Sequence, residues 1–206
     1  MSDALWYLTI RRFSGTGAPE DIAQRVRDGL LPILRAEPGF RAYYVARIDG
    51  GGGIFSATIF DDQAAARRIN DTVLHWAEAN MADLLTGAPV VIRAGVSVHL
   101  DATKPGSDSY MLLRVTEGLG PSAGVLPTVQ EKIVPLTLEQ PGFRHLYTGR
   151  DEAQADRSVA VSVFSNRSTA TAAHAQVAAL MAQHRDIWPQ SPKVVLAGEV
   201  IVSALA

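Results

Sequence analysis

Apolar and polar positions along this chain switch between two periods, and the switches mark the elements. From Leu5 to Phe13 aromatic and branched residues dominate, and Ser14-Gly15-Thr16-Gly17 follows, which predicts a strand and then a turn. Ala18-Pro19-Glu20-Asp21 predicts a helix start, because proline lacks an N–H that would go unpaired there and acids suit the positive end of the helix dipole. Ile22, Val26, Leu30 and Ile33/Leu34 form one helical stripe that stops before Pro38-Gly39. Arg41 to Ile48 and Ile54 to Phe60 read as strands joined by Asp49-Gly50-Gly51-Gly52-Gly53, a glycine-rich hairpin. Asp61 or Asp62 caps a second helix that runs to about Leu85, with Ala65, Ile69, Val73, Trp76 and Leu84 on or near one face. Thr86-Gly87-Ala88-Pro89 is expected to stop it, and Val90 to Leu100 is a last strand. The order β-α-β-β-α-β predicts a ferredoxin-like unit of class α+β.

The same pattern then returns. Pro38-Gly39-Phe40-Arg41 recurs 103 residues later as Pro141-Gly142-Phe143-Arg144, half of the 206-residue length, and Tyr7/Tyr110, Arg11/Arg114 and Pro32/Pro135 keep that offset. Past the hairpin the offset becomes 104, as in Phe60/Phe164, and it reverts to 103 by Pro89/Pro192. In the second copy, strands are expected at about 109–116, 144–150, 158–164 and 193–203, and helices at about 121–138 and 167–188. The chain therefore reads as a first domain 1–101, a linker 102–108 of Asp, Lys, Pro, Gly and Ser character, and a second domain 109–206. Trp6, Leu8 and Ile10 alternate with Leu5 and Tyr7, so both faces of the first strand are apolar. The second face needs cover, and the expectation is two domains packed sheet to sheet as a pseudo-dimeric α/β barrel.

Composition removes several classes of function. With 47% hydrophobic residues, 19% charged residues and a net charge of -2, the chain is neither disordered nor basic, so nucleic acid is not an expected partner. It has no cysteine, which excludes disulfides and thiolate chemistry. The first residues show no basic region followed by an apolar run, and no stretch reaches about 18 apolar residues, so a cytoplasmic location without membrane insertion is expected. No His/Asp/Glu set has metal spacing, no Lys-Ser/Thr follows Gly50 to Gly53, and no nucleophile elbow is present.

Pro-Gly-Phe-Arg entering a Tyr-rich strand, and Ile59-Phe60-Asp61-Asp62 preceding an Ala-rich helix with Asn70 and Trp76, resemble the antibiotic biosynthesis monooxygenase family of the dimeric α/β-barrel superfamily. The resemblance covers nearly the whole chain, twice. It implies a cavity in each domain between sheet and long helix, and an aromatic or quinol-type ligand oxidised without a cofactor; fusion would replace the family's usual homodimer, with further homodimerisation open. A phenolate in such a cavity needs a hydrogen-bond donor or cation, with an aromatic wall against the ring. The catalytic candidates are Asn70 and His174. The candidates for substrate binding are Arg11, Tyr44, Phe60 and Trp76 in the first copy, and Arg114, Tyr147, Phe164 and Trp188 in the second. A non-catalytic ligand-binding or assembly module is the alternative. Haem-degrading relatives resemble a different triad, for which this chain has Ile10, Phe60 and Asn70, then Leu113, Phe164 and His174, so a haem-binding reading rests on His174 alone.

Each candidate also has a plainer reading. Asn70 disfavours helix formation and so marks either a buried polar role or a solvated face. Trp76 suits the core, His75 the surface, and Arg41/Arg144 and Arg47/Arg150 suit solvated strand ends. His174 stands where the first copy has Asn70, so any two cavities differ in chemistry: a buried neutral His is a general base, whereas Asn only hydrogen-bonds. His184 and Trp188 replace Asn80 and Leu84 and are placed to close the mouth of the second cavity.

Overall fold

The computed structural model describes residues 6–102 and 108–206. Leu5 and the middle of the proposed linker, 103–107, lie outside the described residues. The elements are β1 (Tyr7–Gly15), α1 (Pro19–Arg25), a π-helical turn (Val26–Leu30), α2 (Leu31–Ala36), β2 (Phe40–Ile48), β3 (Ile54–Phe60), α3 (Gln63–Met81) and β4 (Leu85–Asp101). The second series is β5 (Tyr110–Thr116), α4 (Ser122–Thr128), a π-helical turn (Val129–Ile133), α5 (Val134–Leu138), β6 (Phe143–Asp151), β7 (Ser158–Phe164), α6 (Arg167–Ala182) and β8 (Lys193–Leu205). Class α+β and the doubled β-α-β-β-α-β order are as the repeat predicts.

The two compact units are divided differently from the sequence repeat. One comprises the chain to Gly95 plus Val200–Ala206, and the other comprises Val96–Glu199. The reason lies in the lengths of β4 and β8. The ladder of β4 on β1 ends at Tyr7↔Gly95, and that of β8 on β5 ends at Tyr110↔Glu199, yet both strands continue. In the first unit the antiparallel order is β4-β1-β3-β2, with the end of β8 beside β2, where Ala206 N–H donates to Arg41 O at 3.0 Å. In the second it is β8-β5-β7-β6, with the end of β4 beside β6, where Ala102 N–H donates to Arg144 O at 2.7 Å.

The Pro-Gly-Phe-Arg segments are scaffold. Gly39 and Gly142 have φ of +84° and +71°, and an added Cβ would lie 2.1 Å from Asp61 Oδ1 and 2.3 Å from Ser165 Oγ respectively. The carbonyl of each glycine accepts from the N–H of that same partner residue, at 2.9 and 2.8 Å, which ties the entry of one strand to the exit of the next. Gly39→Ala is expected to cost about 2 kcal/mol, from left-handed backbone strain plus the clash, and chemical denaturation measures it. Asp62 caps α3 by accepting from Ala65 N–H at 2.8 Å, and Asn166 caps α6 by accepting from Thr169 N–H at 2.9 Å.

Three expectations shift. The first helix of each unit carries a π turn just before Pro32 or Pro135, which lack the donor N–H and press on the carbonyl four residues earlier, so the helix widens there. Helix α3 ends at Met81 and β4 begins at Leu85, because Thr86 and Leu85 pair with Ser14 and Gly15 in the sheet instead of stopping a helix. Helix α6 ends at Ala182, and the chain then turns on Ile187 and Trp188 N–H donations to His184 O, which carries Trp188 into the core.

His145 stands between the two ends of the inter-repeat connection, with Nδ1 2.8 Å from Asp101 Oδ1 and Nε2 3.4 Å from Asp108 Oδ1. Burial alone would lower its pKa, but hydrogen bonds to Asp108 and Asp101 outweigh burial and raise it above 6.5. Its contribution to stability is therefore complete below the unfolded value and is lost as pH rises through the higher folded one. Thermal melts at successive pH values from mildly acidic to alkaline should show that loss in the wild type and a flatter profile in His145→Gln.

Candidate functional site

Each first strand sends alternate residues toward its helices. In the first unit Tyr7, Thr9, Arg11 and Phe13 take that side, opposite Phe60, Thr58, Ser56 and Ile54 of β3, and Tyr7 and Phe13 join the core formed with Ile22, Val26, Ile69 and Val73. Arg11 is fully buried, donates from Nε to Asn70 Oδ1 at 3.0 Å and from Nη1 to Thr58 Oγ1 at 2.7 Å. Desolvation pulls its pKa down to about 10 despite the opposing influence of Tyr43, while burial pushes Tyr43 up to about 12. Asn70 is buried as well, a polar helix residue turned inward, and it takes Arg11 Nε, while Arg11 Nη2 has no hydrogen-bond partner among the described residues.

The second unit carries the same guanidinium in a different state. Arg114 is buried on β5, donates from Nη2 to Ser162 Oγ at 3.0 Å, and is pulled down to about 10 by desolvation. Its Nε has no hydrogen-bond partner among the described residues, and neither does the buried Nδ1 of His174, which occupies the place of Asn70. Burial first, and the charge of Arg114 second, hold the His174 pKa below 6.5, so the ring is neutral at neutral pH and a lone pair is available.

Arg114 lines a half-open cavity of about 100 Å³ between sheet and helices. Its apolar wall includes Val129 and Ile133 of the π turn, Val177 and Met181 of α6, and Trp188, while Thr116, Thr148 and Arg150 add polar groups from the sheet. His174 lies one helical turn before Val177. The space is of the order of the roughly 150 Å³ engineered cavity that takes up benzene, and well below the roughly 300–1,000 Å³ of sites for larger ligands. It suits one ring.

The other sequence candidates divide by sheet face. Trp188 lines the cavity, with His184 edge-on to it at 6.2 Å. Tyr44 and Tyr147 pair with Ala57 and Val161, out of phase with Arg11 and Arg114, so both lie on the opposite sheet face, and Tyr147 stacks with His145 there at 6.4 Å. Phe60 and Phe164 are core, each edge-on to Phe40 or Phe143 at 5.9 Å. Trp76 packs over Gly29, where a Cβ would lie 2.8 Å from Trp76 Cζ2, and borders a shallow depression with Asp21 and Arg25, away from Arg11. His75 is exposed. Arg150, read as a solvated strand end, instead lines the cavity and ties down its rim; its only mark in the sequence was recurrence with Arg47, which does not separate the two roles.

No protein-family model and no curated protein sequence matches the chain. Solved structures do. A "putative monooxygenase" from Fusobacterium nucleatum subsp. nucleatum superposes with a TM-score of 0.73 at 15% identity, covering 100% of this chain and 96% of that one. A protein of the same description from Lactobacillus acidophilus NCFM gives 0.69 at 13%, covering 98% and 96%. An anthrone oxidase-like protein gives 0.57 at 13%, covering 97% and 93%. The chain shares the fold of these structures over nearly its whole length. At these identities the likeness concerns the fold, and matched lengths show that the doubled arrangement is shared. Among the described residues no helix is long and apolar enough to cross a membrane, and no group of three His, Asp or Glu is placed to hold a metal ion.

Proposed function

We propose that the second unit binds a hydroxylated single-ring aromatic compound, a quinol or phenol, and oxidises it with molecular oxygen without a cofactor. The observation that carries this reading is two buried nitrogens left unpartnered, Arg114 Nε–H and His174 Nδ1, on groups near enough that the Arg114 charge lowers the His174 pKa. A ligand hydroxyl satisfies both, accepting from the guanidinium and donating to the imidazole. His174 then takes the proton as general base, and Arg114 stabilises the phenolate in a site of low dielectric. The electron-rich ring supplies the electrons itself. A hydroquinone and O₂ give a hydroxyquinone and water, one oxygen atom entering the ring and the other leaving as water. The walls of Ile133, Val177 and Trp188 enclose the ring and exclude bulk water.

The first unit is silent in this account, because Asn70 takes Arg11 Nε and cannot act as a base, and Arg11 is fully buried with only Nη2 unpartnered. A haem reading finds no support: a porphyrin spans four pyrrole rings, and the cavity next to His174 is about 100 Å³. The non-catalytic reading places the ligand in the same cavity but without turnover. Oxygen uptake with a panel of single-ring quinols separates the two: uptake above the uncatalysed rate is expected, and binding without uptake would leave a ligand-binding module. The fold neighbours described as monooxygenases are consistent with oxygen chemistry, and a cytoplasmic location agrees with a cysteine-free chain.

A further inference from the structure

Two guanidinium groups, Arg114 and Arg150, line the cavity, and none of its described lining residues is an Asp or Glu. Arg150 donates from Nε to Ser122 Oγ at 3.2 Å, from Nη1 to Ala155 O at 3.2 Å and from Nη2 to Gly120 O, all neutral acceptors. Asp156 acts on it only through its field, and that influence ranks below desolvation. Three of its five N–H groups are used, so two remain to meet a ligand. A cation lining a half-open site that has no carboxylate of its own favours a ligand that brings one.

The two arginines share one face of the sheet. Arg114 pairs with Ala160, which pairs with Thr148, whereas Arg150 pairs with Ser158. They are therefore offset by two strands and one two-residue step, about 12 Å between Cα atoms by ordinary sheet spacings. Side chains reaching inward from that separation bracket one aromatic ring. Arg114 forms the inner end beside buried Ile133 and Val177, and half-buried Arg150 forms the outer end, beside exposed Ser122.

We infer that the cavity is built for an anionic ring, a hydroxylated aromatic carboxylate whose hydroxyl meets Arg114 and His174 and whose carboxylate meets Arg150. This rests on the reading above for the hydroxyl end and adds the carboxylate end independently. Arg150 is a specificity-determining residue, and the substrate class narrows from any phenol to a phenol that also carries an acid.

Calorimetric titration of the full chain at low salt with 4-hydroxybenzoate, 4-hydroxybenzyl alcohol, benzoate and phenol tests both ends separately. In the wild type, 4-hydroxybenzoate should bind about tenfold or more tighter than the neutral alcohol, as expected for a charge-assisted bidentate contact. Arg150→Gln should remove that preference by weakening 4-hydroxybenzoate far more than the neutral alcohol or phenol, and Arg150→Lys should restore part of it. Equal binding of the carboxylate and the alcohol by the wild type would overturn the inference without any variant, and so would Arg150→Gln weakening all four ligands alike. If benzoate binds as tightly as 4-hydroxybenzoate, the hydroxyl reading fails while the anion site stands.

Discussion

His174→Asn is expected to keep the fold and lose the chemistry. The protein already contains the result of this substitution: in the first unit Asn70 Oδ1 accepts from Arg11 Nε at 3.0 Å, occupying the nitrogen whose counterpart on Arg114 has no partner, while Arg11 Nη2 stays buried without one. Transplanted to the second unit, the asparagine should close on Arg114 in the same way. It cannot act as a base, so turnover of a quinol should fall by about 10² to 10⁴, the usual range for a general base. Thermal stability should hold or rise, since Arg114 Nε acquires a partner and the unpartnered His174 Nδ1 is removed. The variant also has a pH signature. Because the folded pKa of His174 lies below 6.5, the unfolded chain binds its proton first, and the wild type loses stability as pH falls below about 6.5. His174→Asn should lose less over that window. Turnover within about threefold of wild type would remove His174 from the mechanism.

Arg114→Met should have a comparable effect on function with the opposite effect on stability. Methionine fills similar space without a charge, and the Arg114 guanidinium donates to Ser162 Oγ with no ion pair among the described residues. Loss of the guanidinium removes the group that stabilises the phenolate, an effect of about 10² to 10³ in rate for a single preorganised donor. Replacing a buried, uncompensated cation by an apolar side chain is commonly neutral or stabilising, so the melting temperature should not fall. Steady-state oxygen uptake together with a thermal melt reads both. A large drop in melting temperature with proportionate loss of activity would mean that Arg114 is a structural element only.

Much of this arrangement was legible in the sequence, for identifiable reasons. Hydrophobic periods and the 103-residue offset specify four strands and two helical segments per copy, because the repeat shows each element twice. The asymmetry of Asn70 and His174 was visible as a mismatch between copies. What the sequence could not supply was side-chain direction: Tyr43 and Tyr44 are adjacent aromatic residues on one strand, and only the register with Thr58 and Ala57 tells which of them shares a face with Arg11. The role of Arg150 was hidden for a related reason, since two of its three partners are backbone oxygens, of Gly120 and Ala155, that no side-chain pattern encodes. Trp76 and Trp188 look alike as aromatic residues of the expected long helices, yet one covers Gly29 and the other lines the cavity, because α6 ends at Ala182 and frees the following turn to fold inward.

The central claim is that one cavity per chain, at Arg114 and His174, recognises a hydroxylated ring. Titration calorimetry with 4-hydroxybenzoate on wild type and Arg114→Met tests it most directly. The account predicts one site per chain in the wild type and no measurable binding to the variant; two equivalent sites, or one site that survives Arg114→Met with unchanged affinity, would contradict it.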